Sequence, residues 1–228
     1  MTQLPRNYLQ PVFKFLAALQ THNTKAWFDA HRAEYDAAKQ LVEGLIENVI
    51  DDFRAIEDFE DLKPKDCLFR INRDVRFSAD KSPYKINFGA SLAKGGKHSR
   101  RMPYYIHLQP GNQSLLAGGL YMPTPEQIGK VRAAIAADSR PLRKILRGKA
   151  FVDAFGVMTD ETEGRLKTAP KGYSRDHPDI DLLQFKAWAV MQPLTDTAAL
   201  SPDLLAHTLQ TFKALKPLND WLNTVLLT

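Results

Sequence analysis

The hydrophobic pattern of this chain changes period once, and that change limits the fold more than any other feature. From Thr24 to about residue 56, Trp27, Phe28, His31, Tyr35, Ala38, Leu41, Val42, Leu45, Ile46, Val49, Phe53 and Ile56 recur at helical spacing. Such a stripe is one face of a long helix. Gly44 is a weak point inside it, at about 1 kcal/mol relative to Ala. A shorter helix over Pro11 to Gln20 precedes it, with Val12, Phe15, Leu16 and Leu19 on one side and His22-Asn23-Thr24 as a capped break. Lys63-Pro64 forbids helical continuation. The period then falls to two: Phe69, Ile71, Val75 and Phe77 alternate with Arg70, Asn72, Asp74 and Arg76, as a strand requires.

Three more strand-like runs follow, Ile86 to Ala93, Tyr104 to Gln109 and Gln113 to Tyr121, with Pro110-Gly111-Asn112 as a tight turn. Gly95-Gly96 reads as a hairpin turn. Short links between runs favour an antiparallel meander over βαβ units. Thr124-Pro125-Glu126-Gln127 opens a helix with a capping-box pattern. Shorter helical pieces over 140–147 and 150–155 and a loop over 167–179 follow. Ser201-Pro202-Asp203 caps a last helix, which Lys216-Pro217 should kink or restart. The expected fold is α+β: an antiparallel, meander-like sheet packed against the long N-terminal helix and the C-terminal helices. One domain is expected over 1–228, helical at 1–60, sheet at 67–121, and mostly helical at 124–228 with 185–192 able to add a strand.

A chain of 228 residues can bury a core without staples. Its one cysteine, Cys67, can form no internal disulfide, which favours a reducing compartment. Met1 to Gln10 lacks an apolar h-region, so no secretory signal is expected. No apolar run approaches the roughly 20 residues of a membrane helix. The expectation is a cytoplasmic protein without a membrane partner. The net charge of +5 is unevenly placed: Cys67 to Arg101 holds nine Lys or Arg against Asp74 and Asp80, a local +7 that leaves −2 for the rest. Local basicity suits a surface that meets an anion, and it equally suits a sheet with solvated cationic edges.

The densest chemistry lies in the run from Arg73 to Lys85. If 69–77 is a strand, Arg70, Asp74 and Arg76 share a face at about 6.6 Å steps, with the carboxylate between two guanidiniums. Arg73 then falls on the apolar face and needs either a carboxylate from a packing helix or a polar cavity. Ser78 to Pro83 reads as a turn carrying Asp80-Lys81, after which Tyr84 and Lys85 project to opposite faces. The ligand-binding candidates are Arg70, Arg73, Arg76, Lys81, Tyr84 and Lys85, in a concave pocket. Asp74 and Asp80 are the candidates for orienting them or acting as a base. Tyr105 and His107 join as polar-face neighbours, with His107 able to act as acid or base. Gly118 and Gly119 precede a capped helix and allow either a phosphate approach or a tight bend. No spacing suits zinc or calcium, no nucleophile elbow is present, and no particular cofactor or oligomeric state is implied.

Taken together, these residues resemble domain of unknown function family 2461. The resemblance rests on Phe15-Leu16 through Asn23, Trp27-Phe28 and Tyr35; on Arg73-Asp74-x-Arg76-Phe77-x-x-Asp80-Lys81-x-Pro83-Tyr84-Lys85; on Tyr105 with Gly118-Gly119-x-Tyr121; and on Pro170-x-Gly172-Tyr173, His177-Pro178 and Leu182-Leu183. It implies a bacterial-type cytosolic protein and brings no activity with it. Three functional readings stand. The first is a basic Arg/Asp/Lys pocket for a phosphorylated or carboxylated small ligand, with or without catalysis. The second is nucleic-acid binding through the basic strand face and the Lys94 to Arg101 loop, with Tyr84, Tyr104 or Tyr105 stacking on bases. The third is a structural salt-bridge network.

Overall fold

A computed structural model of the protein describes residues 3–156, 158 and 164–227. Along the chain come α1 (Gln10–Thr21), α2 (Lys25–Ala30), α3 (Arg32–Phe53), α4 (Pro64–Cys67), β1 (Phe88–Leu92), a 3-10 turn (Gly96–His98), β2 (Tyr104–Leu108) and β3 (Ser114–Leu120). They are followed by α5 (Pro125–Ala137), α6 (Arg140–Leu146), α7 (Lys149–Phe155), α8 (Ile180–Leu183), β4 (Trp188–Leu194), α9 (Asp196–Ala199) and α10 (Leu204–Leu227). The strands form one antiparallel sheet in the order β1-β2-β3-β4, so each strand pairs with its neighbour in sequence. The fold is α+β with a sequential sheet, and the segment expected to add a strand supplies β4. The chain divides into two compact units: Met1–Ser99, Tyr105–Leu116 and Pro193–Gln210 form the first; Arg100–Tyr104, Ala117–Gln192 and Thr211–Thr228 form the second.

In the second unit, Thr124 caps α5 through a complete capping box with Gln127, as its sequence requires. The α10 helix carries Pro217 in its interior and runs through it, so of the kink or restart expected at Lys216-Pro217 the restart does not occur. Two turns of buried Leu, Phe and Thr on either side of the proline hold it in place: Phe212, Leu215, Leu218 and Leu222 are all fully buried. Asn219, also buried, donates to the Pro103 carbonyl (3.1 Å) and accepts from the Gly119 amide (3.0 Å). Arg132 holds the chain beyond α8 by donating to the carbonyls of Leu183 (2.8 Å) and Phe185 (3.1 Å).

In the first unit, the helix expected over 24–56 is two helices. The break is His31, whose backbone leaves helical geometry (φ −109, ψ 24). Its Nδ1 lies 2.8 Å from the Trp27 carbonyl, and its ring stacks on the Trp27 ring at 4.0 Å. A side chain that bonds the carbonyl behind it competes with helix propagation. The apolar stripe survives the break because both pieces face the same core. Val12, Phe15, Leu16 and Leu19 of α1 are buried, as are Val42, Leu45, Ile46, Val49 and Phe53 of α3. Each such side chain contributes about 1.5–3 kcal/mol. Gly44 has a packing reason: the Tyr8 hydroxyl, which donates to the Leu41 carbonyl at 3.0 Å, lies where a Cβ would sit only 2.5 Å away.

The strand expected over Phe69 to Phe77 does not form. Residues 68–73 run antiparallel to 83–90, with bridges Leu68 to Ala90 and Asn72 to Tyr84. Between those bridges one side spans four residues and the other six, a wide irregularity of the kind that ends regular pairing. Pairing stops at Arg73, whose amide donates to the Pro83 carbonyl at 2.9 Å. Gly95 and Gly96 are no hairpin turn either. Both have positive φ (90 and 75) and lead into the 3-10 turn, where a Cβ on Gly96 would meet the Asp66 carbonyl at 2.6 Å.

This irregular pair is fixed to the helices by Asn23, in the link between α1 and α2. Its amide donates to the Tyr84 carbonyl (2.9 Å) and accepts from the Tyr84 amide (3.1 Å), imitating a strand neighbour. The Tyr84 ring stacks on Phe28 at 4.0 Å. Replacing Asn23 by Ala removes two hydrogen bonds at about 0.5–1.5 kcal/mol each. The expected loss is roughly 1–3 kcal/mol in urea unfolding, and Asn23→Asp should cost a similar amount because a carboxylate cannot donate to the Tyr84 carbonyl. Full stability in both variants would contradict the clamp.

Candidate ligand-binding site

Most charges of the Arg73 to Lys85 run are satisfied within their own loop. Arg73 pairs with Asp80 and donates to the Ser78 hydroxyl (3.3 Å). Its partner is a carboxylate seven residues on, and not one from a packing helix. Its side chain is 25% exposed. Asp74 does not bridge Arg70 and Arg76 on a strand face; it accepts from Arg76 Nε (3.0 Å), Arg76 Nη2 (2.7 Å) and the Arg76 amide (3.3 Å). Asp80 also accepts from the Ser82 amide (2.8 Å) and hydroxyl (2.6 Å). Lys81 donates to the Val75 carbonyl at 3.0 Å. These are Asx-type local bonds that build a turn. The expected concave charged pocket of Arg73, Asp74, Asp80 and Lys81 is thus a loop whose charges satisfy one another, with Phe77 at 96% exposure beside Arg76.

Two cations of the motif are left over. The side chains of Arg70 and Lys85 have no ion pair or hydrogen bond among the described residues, although, after the Arg76 bonds, the Arg70 charge helps lower the Asp74 carboxyl pKa. Lys85 is partly buried, its Nζ 5.7 Å from the centre of the Phe69 ring. Burial first, and then the neighbouring Arg70 charge, lower its ammonium pKa from the ordinary lysine value. The Phe69 ring also meets Tyr105 edge-on at 6.4 Å. Tyr105 belongs to the half-buried face of β2, since Tyr104, Ile106 and Leu108 take the buried one.

On that same face the Tyr105 hydroxyl lies 3.2 Å from His107 Nδ1, Asn87 Nδ2 lies 3.4 Å from the same nitrogen, and His107 Nε2 lies 3.0 Å from Gln109 Oε1. The grouping of Tyr105, His107 and Gln109 follows from strand alternation. Phe69, Asn87 and Gln109 were not among the expected site residues. Asn87 sits in the irregular stretch before β1, where no periodicity marks a facing side chain. Gly89 makes room for the phenol: a Cβ there would lie 2.6 Å from the Tyr105 oxygen. Burial lowers the His107 pKa below the ordinary imidazole value, against a smaller opposing effect of Gln109.

The other expected residues lie elsewhere. Tyr84 and Tyr104 are buried, Tyr84 on Phe28 and Tyr104 against Phe212 at 5.1 Å, so neither can stack on a base. Lys94 pairs with Asp58 and Glu60, and Lys97 donates to the carbonyls of Lys65 (3.1 Å) and Asp66 (3.4 Å). Gly118 and Gly119, in the second unit, are packing positions and not a phosphate cradle. A Cβ on Gly118 would strike Leu215 and the Pro103 carbonyl, and one on Gly119 (φ 88) the Trp188 carbonyl. The Gly119 amide is already bonded to Asn219. A cavity of about 270 Å³ in the first unit is lined by Phe59, Glu60, Asp61, Leu62, Asp66, Gly95, Lys97 and His98, none of them in the Arg73 to Lys85 run. Among the described residues no group of three His, Cys, Asp or Glu could hold a metal ion, and no helix is long and apolar enough to cross a membrane. Burial pushes the Cys67 thiol up to about 12, which makes it a poor nucleophile.

The loop carries a pH signature. The Ser82 bonds, and then Arg73, hold the Asp80 carboxyl well below the ordinary carboxylate value. A depressed folded pKa gives stability that is present above the unfolded value and is lost as pH falls below it. A carboxyl-detected NMR titration should therefore show Asp80 still ionised at pH 3.8, with the Ser82 amide keeping its shift there. Titration of Asp80 at or above the ordinary value would contradict this turn.

No curated protein and no solved structure matches the chain. The family described as conserved hypothetical protein (DUF2461) matches residues 11–221. That span includes the Asn23 clamp, the self-paired loop, the Arg70 and Lys85 cations and the polar face of β2. The match covers nearly the whole chain, and the protein is a member of this family.

Proposed function

We propose that the protein binds a phosphorylated or carboxylated small molecule through Arg70 and Lys85, against the face formed by Phe69, Asn87, Tyr105 and His107. One observation carries this reading: a partly buried ammonium with no carboxylate against it lies beside a second cation, Arg70, whose charge acts on Asp74, a carboxylate already bonded to Arg76. A partly desolvated ammonium beside an exposed guanidinium is unfavourable until an anion joins it. Arginine supplies a fork for oxyanions and lysine a point charge. The hydroxyl and amide groups of Tyr105 and Asn87 can give an anionic ligand orientation. Arg73, Arg76, Lys81, Asp74 and Asp80 shape the adjoining loop, and the two carboxylates, held below their ordinary pKa values, are weak bases near neutrality. A cytoplasmic location fits a small anionic metabolite and is part of the same proposal.

The nucleic-acid reading has less support, because two of its three stacking tyrosines are buried and two of its loop lysines are engaged. Thermal unfolding with inorganic phosphate tests the small-ligand reading. At ten times Kd the stabilisation should be about 1.4 kcal/mol, or roughly 3–6 °C for a chain of this size. Lys85→Ala and Arg70→Ala should abolish the shift, and Arg76→Ala should keep it. A shift that survives Lys85→Ala, or no shift in the unaltered protein up to high phosphate, would overturn the proposal.

A further inference from the structure

We infer that Tyr105 and His107 form a proton-transfer couple for the ligand held by Arg70 and Lys85, with the Tyr105 hydroxyl as the group that meets it. The inference rests on the anion-site reading and adds what the site does with its ligand. The geometry fixes the imidazole. Tyr105 Oη and Asn87 Nδ2 both approach Nδ1, at 3.2 and 3.4 Å, and each brings a hydrogen. Nδ1 therefore carries the lone pair. Nε2 faces Gln109 Oε1 at 3.0 Å, an acceptor, and so carries the hydrogen. With both nitrogens assigned, the one change open to this ring is to take a proton at Nδ1, and Tyr105 is the acid beside it.

Burial works against an imidazolium at His107, and the negative charge of a bound anion is what would offset it. The phenol oxygen has a dedicated seat, because Gly89 has no Cβ to fill it. Phe69 meets Tyr105 edge-on at 6.4 Å and has the Lys85 ammonium 5.7 Å from its ring centre. The Tyr105 O–H bond breaks and an N–H bond forms at His107 Nδ1, giving an imidazolium. As its own proton passes to His107, the Tyr105 oxygen takes one from an O–H, N–H or C–H acid of the ligand; in the reverse step the Nδ1 proton returns to Tyr105 as the phenol gives its proton back to the ligand. Nothing is oxidised or reduced. Gln109 is a positioning residue that keeps Nε2–H in place. The ligand class narrows to anions with an exchangeable or acidic proton next to the phosphate or carboxylate.

The test uses the full chain labelled with 15N in histidine and 13C at the tyrosine ζ carbon, and inorganic phosphate as probe. In the free protein at pH 7, long-range 1H–15N spectra should show His107 as the neutral Nε2–H form. Saturating phosphate should shift the backbone amides of Arg70 and Lys85 and, with them, the His107 ring nitrogens and the Tyr105 ζ carbon. In Tyr105→Phe at saturating phosphate the Arg70 and Lys85 amide shifts should still appear while the His107 response is lost; Gln109→Glu, which keeps an acceptor at Nε2–H, should keep that response. A His107 with hydrogen on Nδ1, or phosphate that moves the Arg70 and Lys85 amides but leaves Tyr105 and His107 unmoved, would overturn the couple and leave the anion site standing. No shift at Arg70 or Lys85 would overturn both.

Discussion

The Asn23 side chain is the contact on which the candidate site depends. The chain from Leu68 to Ala90 is too irregular to hold itself as a sheet: its pairing slips by two residues and ends at Arg73. An amide that donates to and accepts from the Tyr84 backbone supplies the missing neighbour. It does so from a helix link whose position is set by the buried faces of α1 and α3. Tyr84 is thereby pressed onto Phe28, and the next residue, Lys85, is turned the other way toward Phe69. An apolar core thus fixes a lysine that the loop alone would leave to solvent.

Charge in this protein sorts by geometry and not by density. The run from Arg73 to Asp80 holds many charges, yet its arginines and carboxylates pair within seven residues. Such exposed local pairs order a turn and leave little field for a ligand. Arg70 and Lys85 flank that run without an ion pair of their own, and Lys85 is partly buried. Desolvation makes an unpaired cation costly, and that cost is what an anion relieves on binding. The neighbouring phenol, imidazole and two amides are mutually bonded, so the anion would meet an oriented polar face.

Much of this was legible in the sequence. The period change at Lys63-Pro64 separates helices from sheet, and the short links specify strand neighbours in sequence order. Alternation from Tyr104 placed Tyr105 and His107 on one face. What alternation could not show is where it stops. Counting it through Arg73 put that residue inward, whereas Asp74 and Asp80 each bond the backbone two residues on and turn the chain. Those Asx spacings were present in the sequence and are the signal that overrides the period. The His31 break was hidden because both helices keep the same apolar stripe. Gly89, Gly118 and Gly44 owe their identity to atoms distant in sequence, Tyr105, Leu215 and Tyr8, which no local pattern reveals.

The central claim is that the anion site lies at the unpaired cations and not at the charge-dense loop. The most direct measurement is anomalous diffraction from a crystal soaked in tungstate, an oxyanion whose position is unmistakable. The account predicts a peak within hydrogen-bond reach of Lys85 Nζ and the Arg70 guanidinium, over the face of Tyr105. A peak instead at Arg73, Arg76 or Lys81, with Lys85 and Arg70 bare, would contradict it.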